Sequence, residues 1–216
     1  MTFGESNRSP RLNRPAWFFA WSVFLCLAPM SLAGTSPQTE REGGSTGWNA
    51  EQLIESLAKN RQAEVRFEET AFSNLLTEPL KTQGILRFTP PARLEKHVTA
   101  PYDERYLVEG DKVLFEKKTK GINRTLSLQD YPALQAFVEA FRSTLVNDVV
   151  TLKRFYSVTL QGEPRRWVLI LRPLDKTTRE LVESIRFSGE GEQVRVIEIR
   201  APDGDRSVMV ITGGAG

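Results

Sequence analysis

Few side chains in this sequence are of the types that do chemistry, and their spacing argues against most of it. Gly43-Gly44-Ser45-Thr46-Gly47 matches the G-x-S-x-G of a serine-hydrolase elbow. That elbow works where a strand enters and a helix leaves, so that the serine oxygen is strained and exposed. Here Ser45 closes a polar, glycine-rich stretch without periodicity, and nothing before it reads as a strand, so a linker serine is expected. His97 is the single histidine, and any histidine-based triad or metal site must use it. It shares the polar side of a strand with Glu95, the position of a solvated surface residue. The single cysteine, Cys26, lies in an apolar run near the start. Without a second histidine, and with Cys26 removed on export, a zinc site is not expected. The acids are scattered and form no pair that stands out as a general acid and base. Asn123-Arg124-Thr125 fits a glycosylation acceptor, taken as chance in a chain with bacterial export features. No phosphate-binding loop or dinucleotide fingerprint is present. The expectation is a protein that is not an enzyme, with no catalytic residue, no metal and no cofactor.

The beginning of the chain explains where such a protein works. Arg8, Arg11 and Arg14 precede an apolar run from Ala16 to Met30, and Ser31-Leu32-Ala33 puts small residues where a signal peptidase reads. This is the pattern of a cleavable secretory (Sec-type) signal, too short for a comfortable membrane span. Cleavage after Ala33 and a periplasmic location are expected. Val23-Phe24-Leu25 lacks the small residues of a lipoprotein signal, so an acylated Cys26 is not expected. Of the 29 basic and 27 acidic residues, three and one fall before residue 34, which leaves 26 of each. A mature chain of zero net charge has no electrostatic reason to seek nucleic acid or an anionic membrane. It also has no cysteine, so its stability must come from a core rather than from disulfides.

The elements that follow are of two kinds. After a flexible leader at 34–47, Asn49-x-x-Gln52 reads as a capping box, with Trp48 placed to staple onto Leu53. Leu53, Ile54, Leu57 and Ala58 form one helical stripe. From residue 63 the period is two: Ala63, Val65 and Phe67; then Thr82, Gly84, Leu86 and Phe88; then Leu94 and Val98. Such alternation marks an antiparallel sheet with one dry face. Strands at 105–108 and 113–116 flank a Glu109–Lys112 hairpin turn, and 122–128 is another strand. Asp130 caps a helix in which Pro132 tolerates the first turn and Leu134, Phe137, Val138, Phe141 and Leu145 share a face. A shorter helix covers 149–155. Strands resume at 156–160, 165–172, 181–187, 193–200 and 207–212. The order of helix, strands, two helices and strands disfavours a parallel nucleotide-binding sheet.

Gly84-Ile85-Leu86-Arg87-Phe88-Thr89-Pro90-Pro91-Ala92-Arg93-Leu94, then Ala100-Pro101, then Leu107-Val108-Glu109-Gly110-Asp111-Lys112-Val113-Leu114-Phe115, resemble the periplasmic lipoprotein carrier (LolA-like) family. Arg66-Phe67-Glu68-Glu69 looks like its phenylalanine-led first strand, and Ile197 to Asp205 like its penultimate hairpin. The similarity runs over roughly 48–212, so 48–216 is read as one domain.

The resemblance implies a mainly β, α+β fold: an incompletely closed antiparallel β-barrel (half-barrel) with lid helices over an apolar cavity. It implies a non-catalytic carrier of a lipid, a lipoprotein acyl chain or other acyl cargo toward the outer membrane. An inner-membrane exporter would be the donor and an outer-membrane protein the acceptor, with the carrier itself a monomer. A lipid-sensing regulatory module is the alternative. The departures, Pro90 where family members have an arginine and Leu94 or Lys96 where an aromatic is expected, point away from lipoprotein as cargo. So does the missing family tail after the last strand. They suit a divergent branch that resembles accessory proteins for envelope lipids or acyl-polyene pigments. Leu134, Phe137 and Phe141 are the expected lid contacts. Phe67, Leu86, Phe88, Leu94, Leu107, Phe115 and Trp167 are the expected wall, although alternation leaves open which strand face is concave.

Overall fold

The computed structural model describes residues 48–59, 61 and 63–214. The expected signal segment at 1–33 and leader at 34–47, with Cys26 and Ser45, lie outside the described residues. Helix α1 (Ala50–Lys59) begins at the capping box. The Gln52 amide donates to Asn49 Oδ1 at 2.9 Å, and the Asn49 amide donates to Gln52 Oε1 at 3.2 Å. Leu53, Ile54, Leu57 and Ala58 are its buried stripe, and Trp48 packs against the cluster that contains Leu53.

Six strands follow: β1 (Glu64–Phe72), β2 (Leu80–Thr89), β3 (Arg93–Ala100), β4 (Glu104–Glu109), β5 (Lys112–Lys117) and β6 (Ile122–Ser127). Two helices, α2 (Pro132–Val146) and α3 (Val149–Phe155), separate them from β7 (Tyr156–Glu163) and β8 (Arg166–Pro173). The chain ends with a one-turn helix α4 (Lys176–Arg179), then β9 (Ser184–Glu190), β10 (Gln193–Arg200) and β11 (Arg206–Gly214).

Two local expectations need correction. Asp130 does not cap α2: it lies in a 3-10 turn at Leu128–Asp130, and the N-cap is Tyr131, which makes no side-chain cap. Pro132 supplies the helical φ there and has no amide proton to satisfy. The strand expected at 181–187 starts only at Ser184, because Asp175 accepts from the Thr178 amide at 2.7 Å and winds α4 instead.

The eleven strands of the described residues form one sheet in the order β6-β5-β4-β3-β2-β1-β11-β10-β9-β8-β7. Every neighbouring pair is antiparallel. The edges β6 and β7 do not meet, so the sheet is an open half-barrel. The segment that joins these two edges in sequence contains α2 and α3, so the helices are carried across one face. That face is the inner one. On it Phe67, Val98, Trp167, Leu169, Leu171, Ile185, Phe187, Ile197, Ile199 and Met209 pack with α1, α2 and α3 in the main core cluster. A second, separate cluster joins Val108 and Val113 to Leu134 and Val138 of α2. Helix α2 therefore anchors in both clusters, and the space between them stays unfilled.

Candidate functional site

The gap between the two clusters is a cavity of about 220 Å³. A single water needs roughly 10–15 Å³, so this is no packing flaw in an interior that otherwise tolerates few voids. Cross-strand pairing shows how the sheet lines it. Phe88, Leu94, Val108 and Val113 pair in one row across β2 to β5. Val65, Leu86, Lys96 and Tyr106 pair in the next row, across β1 to β4. Cross-strand partners share a face, and all eight line the cavity. The far half of the sheet contributes Phe187, Ile197, Met209 and Ile211, and α1 contributes Leu57. Leu134, Phe137, Val138, Phe141 and Leu145 of α2 form the roof. Phe141 lies 5.0 Å from Phe137, tilted against it, and 5.4 Å from Phe187, edge-on, centroid to centroid, so the roof touches the opposite wall through its aromatic rings.

Of the ten residues expected around a cavity, the structure brings six together: Leu86, Phe88, Leu94, Leu134, Phe137 and Phe141. The other four stand elsewhere. Leu107 pairs with Glu95 and Leu114 and points to the outer face, because the inward residues of β4 are Tyr106 and Val108. Phe67 and Phe115 are on the inner face but do not line the space. Phe67 is buried in the main cluster, and Phe115 stacks on Tyr106 at 4.9 Å one strand nearer the edge. Trp167 is also on the inner face, near the β7 edge, sealed against Gly189 with its indole N–H donating to the Gly191 carbonyl at 2.8 Å.

The spacing argument missed Lys96, Tyr106 and the far wall. Lys96 had a readable signal, since it holds the inward phase of Leu94-x-Lys96-x-Val98. Glu69 has the same signal, two beyond Phe67 in the inward phase of β1. The two form a buried pair, with Lys96 Nζ donating to Glu69 Oε2 at 2.5 Å. Ser207 donates its hydroxyl to Glu69 Oε1 at 2.5 Å. Nearby, Tyr106 donates to Glu104 Oε2 at 3.0 Å, and Lys117 pairs with Glu104. Burial, and then the Glu104 charge, push the Tyr106 phenol far above its ordinary range, so it remains a neutral donor.

The outer face of the same strands is of a different kind. Glu64, Arg87, Glu95, Arg105 and Glu116 alternate in charge from β1 to β5 in a chain of ion pairs. Burial pushes Glu95 up, but Arg105 and Arg87 outweigh it and hold the carboxyl below its usual range. His97 is half-buried here rather than solvated, 2.9 Å from Asp103 Oδ1, and this hydrogen bond holds Asp103 below the aspartate range. Every acid of this cluster has a basic partner, with Lys118 at 3.7 Å serving Asp103 beside His97, and the lining is made of titratable side chains rather than apolar ones. Among the described residues no group of three His, Cys, Asp or Glu side chains is placed to hold a metal, and no helix is long and apolar enough to cross a membrane.

A family model described as outer membrane lipoprotein carrier protein LolA-like matches residues 43–216. No curated protein matches the chain. Among solved structures, a LolA superfamily protein from Nitrosomonas europaea is similar at 10% identity, covering 77% of this chain and 92% of its own, with a TM-score of 0.40. An uncharacterized conserved protein from Thermus thermophilus is similar at 9% identity, covering 76% of this chain and 85% of its own, with a TM-score of 0.47.

Proposed function

The chain belongs to the outer membrane lipoprotein carrier protein LolA-like family, and on that premise we propose that it is a non-catalytic periplasmic carrier of acyl cargo. The observation that carries this reading is the apolar cavity on the inner face, roofed by α2 and walled from both halves of the sheet. Its occupant is a lipid, a lipoprotein acyl chain or another acylated molecule. The cargo is taken from an inner-membrane donor and passed toward an outer-membrane acceptor by a monomer exported through its cleaved signal. Residues 48–216 act as one domain.

The physical problem of a carrier is release. Burying an acyl chain gains about 0.8 kcal/mol per methylene, so a chain of about fourteen carbons gains on the order of 11 kcal/mol before ordering costs. The α2 roof moderates this. Phe137 and Phe141 give up their mutual contact and that with Phe187 when cargo enters, and this loss is subtracted from the affinity.

The test is Phe141→Glu with a fluorescent fatty acid as probe. A charge at the roof abolishes binding while unfolding stays cooperative. Normal probe binding by that variant contradicts the reading.

A further inference from the structure

The cavity has a polar mouth. Of the residues that line it, the exposed ones are Arg61, Glu192, Gln193 and Arg195, while the rest of the lining is buried or half-buried and mostly apolar. The two arginines stand at the ends of one arc of the rim. Arg61 follows α1, donates from one guanidinium nitrogen to the Ala58 carbonyl at 2.6 Å, and lies 5.3 Å from the ring centroid of Phe88 on β2. Arg195 is on β10, and the strands between, β1 and β11, contribute Val65, Ile211 and Gly213 to the same lining. Arg195 keeps the inward phase of Ile197 and Ile199. It also has no Cα partner on either neighbour, because the register with β9 shifts between Val194 and Val196 and the pairing with β11 starts at Val196. A bulge of this kind re-aims a side chain.

Elsewhere in the lining the charges are matched: Arg87 with Glu64 and Glu95, and Lys96 with Glu69. At the mouth they are not. Among the described residues neither Arg61 nor Arg195 has a carboxylate within ion-pair distance, and Glu192 has no cation. The mouth therefore carries two cations against one acid. Arg61 spends one of its five N–H donors on Ala58, and most of the rest remain for a ligand.

We propose that this rim is a head-group subsite for phosphate, so that the cargo is an amphiphile bound tail first, with a phosphate-bearing head held between Arg61 and Arg195. The proposal rests on the cavity being the cargo site. Burying a charged head among Leu86, Phe88 and Leu94 is costly, so the head stays at the mouth while the chain fills the apolar interior under α2. The guanidinium fork matches phosphate geometry with paired N–H donors. The oxygens of a phosphate point in several directions, so one group serves guanidiniums on two sides of the rim. An uncharged head on the same chain finds no equal partner, because charge-assisted hydrogen bonds are the strong ones.

The experiment is equilibrium binding of radiolabelled hexadecanoyl-glycerol phosphate and hexadecanoyl-glycerol to the mature chain. The wild-type protein favours the phosphate by about tenfold at low ionic strength, the size of two exposed charge contacts. It loses this preference in about 1 M salt, where exposed charges are screened, and the salt series serves where a variant does not fold. Arg61→Gln with Arg195→Gln binds the two probes about equally. Arg195→Lys, which keeps the charge, retains most of the preference. Arg165→Gln, an exposed change on the β7–β8 turn outside the lining, retains all of it. Equal binding of both probes by the wild type overturns the subsite and leaves the cavity reading standing. So does a preference that survives high salt or the double variant, or that falls as far in Arg165→Gln. Binding of neither probe overturns both.

Discussion

The ring of Phe141 on α2 meets the ring of Phe187 on β9 edge-on, 5.4 Å from centroid to centroid, and both rings border the cavity. Phe141 is only half-buried although it faces inward. Phe→Ala in a filled core costs about 3–5 kcal/mol. Phe141→Ala is expected to cost less than that in urea denaturation, because the ring already borders open space. Leu152→Ala in α3, fully buried in the main cluster, is the control and costs about 2–5 kcal/mol. Equal losses at the two sites would make α2 an ordinary core helix.

The buried pair predicts an asymmetry in stability. Lys96→Met alone leaves Glu69 charged in an apolar wall, and breaking such a pair costs about 3–5 kcal/mol. Adding Glu69→Gln removes the orphaned charge and restores much of the loss. Chemical denaturation of the two single variants and the double variant measures this as a coupling energy. Additive losses would mean that the two side chains do not act as a unit.

Gly189 predicts a steric effect at the other end of the sheet. A Cβ there would meet the Gln193 carbonyl oxygen at 2.1 Å and Trp167 Cζ2 at 2.4 Å. The backbone contact cannot give way cheaply, so Gly189→Ala forces the β9–β10 hairpin or the indole to move. Overpacking of this kind costs about 1–3 kcal/mol. A shift in Trp167 fluorescence together with a lowered denaturation midpoint is the expected outcome.

The capping box predicts a smaller one. Asn49→Ala removes the acceptor for the Gln52 amide and is expected to destabilise the chain by about 1 kcal/mol. Asn49→Ser, which can still cap, should recover most of it in thermal unfolding.

These residues also show what the sequence made legible. The α1 start was readable because a capping box is local, and β1, β2 and β3 because each alternates over its own few residues. The wall was only half readable. In β4 the run Tyr106-Leu107-Val108 is apolar at every position, so phase alone does not say that Leu107 faces out. The far wall depends on β11 pairing with β1, which joins residues such as Phe67 and Ile211 from opposite ends of the chain. No spacing in the sequence encodes that contact. Phe115 and Trp167 lie on the inner face, yet local partners, Tyr106 and Gly189, take them out of the cavity. Lys96 and Glu69 had the opposite problem. Their inward phase was visible in each strand, but a lone charge in an apolar phase gains meaning only when its partner on another strand is known.

The central claim is that the cavity under α2 holds one acyl chain, and native mass spectrometry of protein isolated from its own periplasm tests it most directly. The account predicts one amphiphile adduct per chain, lost from Phe141→Glu prepared in the same way. A wild-type protein that carries no adduct, and acquires none when incubated with excess hexadecanoate or a long-chain phospholipid, would contradict it.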